Sequence, residues 1–114
     1  MDVDRLMRGI ELFNRAEFFA AHEALEDVWR EAPLAEKKFF QGLTQAAVAF
    51  HHHSTGNFVG MRSVLQRAVS NLENYPADFH EIDVRSLLES LARWADAMDR
   101  DNPPPPLPRI QKLG

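Results

Sequence analysis

The sequence predicts an all-α fold: a single compact domain of about five helices, an antiparallel bundle or stacked helical hairpins, with an extended proline-rich C-terminal tail. Apolar residues recur at three- and four-residue steps in five successive segments. No stretch sustains the period-2 alternation of a half-buried strand. Short runs holding Asn, Gly or Pro separate the segments, as expected of helices folded back on their neighbours. A chain of 114 residues suits one core, so we divide it into a helical domain over residues 1–100 and a tail over 101–114.

The first helix carries Val3, Leu6, Met7, Ile10 and Phe13 on one stripe and is expected to break at Asn14-Arg15-Ala16. The second runs from about Glu17 to Ala32, ahead of Pro33, which disfavours helical geometry in the residue before it. At ~100° per residue, Phe18, Ala21, His22, Val28, Trp29 and Ala32 flank Leu25, and Glu26 lies just beyond the stripe. The third, about Ala35 to Ser54, is apolar on most of its circumference and is therefore expected at the centre. Gln41, Gln45 and His52 line up on its face opposite Leu43, where a second neighbour can pack. Thr55-Gly56-Asn57 ends this helix and starts a fourth with Phe58, Met61, Leu65, Ala68, Val69 and Leu72 on one stripe to about Asn74, stopped by Tyr75-Pro76. Asp83 is the expected N-cap of a fifth, carrying Leu87, Leu91, Trp94 and Met98. Pro103 to Pro106 and then Leu107-Pro108-Arg109-Ile110 read as an extended segment that lies along its own domain or on a partner.

Composition narrows the function classes. Thirteen basic residues against 17 acidic give a net charge of -4, without a massed basic stripe, so nucleic acid is not an expected partner. The absence of cysteine excludes disulfides, thiolate catalysis and Cys-based zinc sites, and fits a reducing compartment. The N-terminus lacks a signal-peptide pattern and no run nears the ~20 apolar residues of a membrane span. The expectation is a cytoplasmic protein.

Chemistry-bearing residues concentrate on helices two and three. His22 and Glu26, at i and i+4, can share a hydrogen bond or offer two ligands to one metal ion. His22-Glu23-Ala24-Leu25-Glu26 differs from the metalloprotease pattern H-E-x-x-H by having glutamate at the second histidine. His51-His52-His53 point ~100° apart, so one helix cannot aim all three at one ion; His51 and His53 are read as a polar helix end meeting the negative end of the dipole. If helices two and three pack side by side, His22, Glu26, Gln41, Gln45 and His52 converge on one polar pocket with Trp29 as an apolar wall. Such a pocket could bind a small polar ligand, or a divalent metal through His22, Glu26 and His52. The favoured reading is a buried network that fixes packing, since buried polar side chains normally satisfy one another. Ser54, Thr44 and Thr55 lack the elbow or the neighbouring base that would make them nucleophiles, so enzymatic activity stays an open question.

Phe13-Asn14, Phe18-Phe19, Ala21-His22-Glu23, Leu25-Glu26 and Trp29-Arg30, followed by Phe40-Gln41-Gly42-Leu43, Gln45-Ala46-Ala47, His52 and Gly56-Asn57-x-x-Gly60, carry a resemblance. Over roughly residues 10 to 75 the sequence resembles domain of unknown function family 309. The resemblance implies a small, mostly bacterial and archaeal, all-helical protein without an assigned biochemical activity. That family favours glycine after Phe-Asn where this chain has Ala16, so the turn is expected to be tighter or shifted. Two functions compete: a non-enzymatic module that binds a partner chain or itself around a buried His/Glu/Gln network, and a metal- or small-ligand-binding protein, with hydrolysis as its extension, at His22, Glu26 and His52.

Overall fold

A computed structural model describes residues 3–114. Five helices follow one another: α1 Val3–Asn14, α2 Phe18–Glu31, α3 Lys37–Ser54, α4 Phe58–Leu72 and α5 Val84–Asp99, with short 3-10 turns at Leu34–Glu36 and Phe79–Glu81. Each helix packs on the next, and α3 is the centre, flanked by α2 on one side and α4 on the other. The pairings are antiparallel. Gly9 faces Leu25 and Arg5 reaches Glu31 between α1 and α2. Phe18 meets Phe50 while Lys37 reaches the Trp29 carbonyl between α2 and α3, and Gln45 meets Asn71 between α3 and α4.

Helix α3 buries nine residues, including Phe39, Phe40, Leu43, Ala46, Ala47, Ala49 and Phe50, which suits its position between two partners. Small side chains let α4 come close: a methyl group added at Gly42 would lie 2.8 Å from Leu72 Cγ. Phe13, Phe18, Phe50 and Trp94 form an aromatic cluster that ties α1, α2 and α3 to α5, with ring centroids 5.1 to 6.5 Å apart. Among the described residues no helix is long and apolar enough to cross a membrane.

The helix ends repeat one device. After α3, Gly56 at φ 80° lets its N–H donate to the His53 carbonyl and the Asn57 N–H to the His52 carbonyl, the paired bonds of a Schellman motif. After α1 the same two bonds run from Ala16 to Phe13 and from Glu17 to Leu12, with Ala16 held at φ 62°. The turn therefore keeps the left-handed geometry that glycine takes without strain, and an alanine Cβ bears the cost. Ala16→Gly is expected to stabilise the fold and Gly56→Ala to destabilise it, each by about 1 kcal/mol. Urea denaturation of the two variants checks both signs. Asn57 and Asp83 cap α4 and α5 by accepting from the Gly60 and Ser86 N–H groups. The backbone bond from Ser86, and then its hydroxyl, hold the Asp83 carboxyl below its ordinary value of 3.8.

Beyond α5 the chain carries no helix and turns back over the bundle. The Trp94 indole donates to the Pro106 carbonyl at 2.9 Å. Asn14 clasps Ile110, its amide donating to the Ile110 carbonyl at 2.9 Å and its oxygen accepting the Ile110 N–H at 2.8 Å. Lys112 forms an antiparallel bridge with Ile82, and Ile110 is buried in the core. Leu107, three residues earlier, stays exposed.

Candidate functional site

Helix α2 buries Phe18, Ala21, Leu25 and Val28, which leaves His22 and Glu26 on the shoulder of its buried stripe. Their side chains are 25% and 28% exposed, and His22 Nε2 lies 3.2 Å from Glu26 Oε2. The other ring nitrogen is 3.1 Å from the Phe19 carbonyl oxygen. Carbonyl and carboxylate both only accept, so the ring serves both contacts when each nitrogen carries a proton. Arg30 holds the second Glu26 oxygen and also reaches Asp27 at 3.4 Å. Glu26 is therefore committed on both sides. Together with Glu23, these residues line a shallow cleft of about 220 Å³. Trp29 does not wall it: the indole is half-buried against the core, and its carbonyl accepts from Lys37.

Gln41, Gln45 and His52 do share a face of α3, but α4 covers that face. Gln45 Oε1 accepts from the Asn71 amide at 2.8 Å, and both glutamines line a groove between α3 and α4. His52 sits at the end of α3 beside the α4 cap, with Nδ1 3.3 Å from the Asn57 amide nitrogen. The α2 pair and the α3 amides thus open onto separate clefts instead of one pocket. Helical periodicity places residues on faces, whereas the neighbour that covers each face is decided by packing. Among the described residues no group of three or more His, Cys, Asp or Glu side chains is placed to hold a metal ion. The compact helical domain thus holds half-buried polar pairs, His22 with Glu26 within α2 and Asn71 with Gln45 between α4 and α3.

Two features have no counterpart in the sequence reading. The first is an apolar hollow of about 410 Å³ where the end of α3, the start of α4 and the end of α5 meet, lined by His53, Phe58, Trp94, Ala97, Met98 and Pro104 among others. The His53 ring lies 5.5 Å from Phe58 and 5.0 Å from Trp94, so it is a member of an aromatic group as well as a polar helix end. Beside it, Phe58 and Val59 project from the first turn of α4, 55% and 85% exposed. Two large apolar residues directly after the Asn57 cap were the available signal. The second feature is His80, whose Nε2 is 2.6 Å from Glu36 Oε1 and whose ring lies among Phe39, Phe40 and Phe79. His80 and Glu81 both adopt left-handed backbone, at φ 54° and 57°. With 44 residues separating His80 from Glu36, no local pattern could announce that pair.

Comparison with known proteins adds the family. Residues 6–64, just over half of the chain, match the family model described as domain of unknown function (DUF309). The chain is 32% identical over 93 residues to an uncharacterized protein of Aquifex aeolicus (strain VF5), covering 81% of this chain and 28% of that protein. It is 31% identical over 65 residues to the uncharacterized protein YpuF of Bacillus subtilis (strain 168), covering 56% of this chain and 37% of that one. The chain thus spans about a third of the length of these curated relatives. With its matched segment running from α1 through the Gly56-Asn57 turn into the first half of α4, the chain belongs to the DUF309 family.

Proposed function

We propose that this protein is a non-enzymatic helical module that self-associates through the face where α3, α4 and α5 meet, while its His22–Glu26 pair braces α2 and its Gln45–Asn71 pair joins α3 to α4. The observation that carries this reading is the adjacency of an apolar projection, Phe58 and Val59, to an apolar hollow floored by Trp94 and Met98. A two-fold interface needs one patch that complements itself, and a projection beside a hollow meets that need in both copies at once. Arg62 and Asp99 pair at 2.6 Å between α4 and α5. That ion pair offsets one carboxylate beside the patch, and Asp101 is the acidic residue that lines the hollow itself. The competing reading, a metal or hydrolytic site at His22, Glu26 and His52, has less support, because Glu26 is occupied by His22 and Arg30 and His52 lies beside Asn57.

Val59→Asp tests the proposal. The residue is 85% exposed, so the fold itself should change by no more than about 0.5 kcal/mol. Light scattering should then find a concentration-dependent dimer for the natural chain and a monomer for the variant, with matching melting curves. A natural chain that stays monomeric at high concentration, or a variant that associates equally well, would reject it.

A further inference from the structure

We propose that the groove between α3 and α4 is a second site, separate from the association face, that binds a small phosphorylated polyol. The groove has a volume of about 440 Å³, within the range of pockets that hold small molecules. Lys38, Gln41 and Gln45 form one wall at helical spacing, and Ser63, Arg67 and Ser70 form the other, with Gln66 and Asn71 completing the lining. Each stripe is about 10 Å long at 1.5 Å per residue.

The lining of this groove is basic and polar. The chain carries 17 acidic residues, yet none lines the groove. Several other cations are engaged: Arg30, Arg62 and Arg100 pair with carboxylates, and Lys37 donates to the Trp29 and Arg30 carbonyls at the end of α2. Lys38 and Arg67 make no hydrogen bond or ion pair with any described residue. One cation from each wall is therefore available to an anion, and phosphate suits both the guanidinium fork and the ammonium.

The remaining groups select the body of the ligand. Amides and hydroxyls offer donors and acceptors in the pattern that sugar hydroxyls require. No aromatic or aliphatic side chain lines the groove, so a nucleobase has nothing to stack on, and a polyol is the better fit. The Asn71 amide spends a donor on Gln45 Oε1. This bond orients the Gln45 amide, leaving its NH₂ as a donor. Close packing of Gly42 against Leu72 holds the two helices together, so the groove exists before a ligand arrives.

Isothermal titration of the full chain at low salt with glucose 6-phosphate, inorganic phosphate and glucose tests the proposal. Glucose 6-phosphate should bind at least tenfold more tightly than inorganic phosphate, and glucose should give no measurable binding. Combining Lys38→Gln with Arg67→Gln, both at exposed positions, should weaken glucose 6-phosphate at least tenfold while leaving the melting temperature of the free protein unchanged. No binding of the sugar phosphate would overturn the proposal. So would equal binding of inorganic phosphate, or affinity that survives the double substitution, because each would mark a non-specific ionic effect.

Discussion

Phe50→Ala is expected to destabilise the protein by about 3–5 kcal/mol, close to the limit of what a small domain withstands. Phe50 is 1% exposed and lies within 6.5 Å, ring to ring, of Phe13, Phe18 and Trp94, so its removal opens a cavity bordered by residues from three other helices. Lost transfer free energy and unrelaxed cavity space add, and side chains fixed on separate helices collapse poorly into the gap. Guanidinium denaturation should show a large fall in midpoint with little change in slope. A loss below about 1 kcal/mol would mean that the aromatic cluster does not join α5 to the first three helices.

Deletion of residues 103–114 is expected to cost about 3 kcal/mol or more. Ile110 is 1% exposed, and truncating a buried isoleucine alone usually costs about 2–5 kcal/mol. The two bonds between Asn14 and Ile110, the Trp94–Pro106 bond and the bridge between Ile82 and Lys112 disappear with it. A terminus that merely trails in solvent would leave the thermal midpoint unmoved. Amide exchange read out by mass spectrometry should show the protection loss centred on the ends of α1 and α5, where these contacts land.

The fold was legible because its determinants are local. Asn57 and Asp83 act as the caps that their positions imply, Gly56 takes the left-handed turn, and the periodic stripes of all five segments become helices with ends within two or three residues of expectation. Leu34–Glu36 forms a separate 3-10 turn, so α3 starts two residues late: Pro33 enters extended, at ψ 148°, and a short turn precedes the regular helix. Ala16 was legible as a break but not as a left-handed residue, since alanine pays for that conformation and local propensity argues against it.

The candidate site was less legible because it depends on which helices meet. Gln41, Gln45 and His52 do fall on one face of α3, but that face meets α4 and its cap instead of His22 and Glu26. The His22–Glu26 contact, being within one turn, is readable from spacing, and by the same spacing so is Arg30, which completes it from the next turn. Phe58 and Val59 illustrate the opposite failure. Phe58 fits the α4 stripe by periodicity, yet at the first turn it only borders His53 and the hollow beside α5, and it stays 55% exposed.

Self-association through this exposed face is the central functional claim, and sedimentation equilibrium of the natural chain over a wide concentration range tests it most directly. The weight-average mass should rise from the 13.0 kDa of one chain toward twice that value, and the single substitution Val59→Asp should abolish the rise. A mass that stays at one chain throughout the range would contradict it.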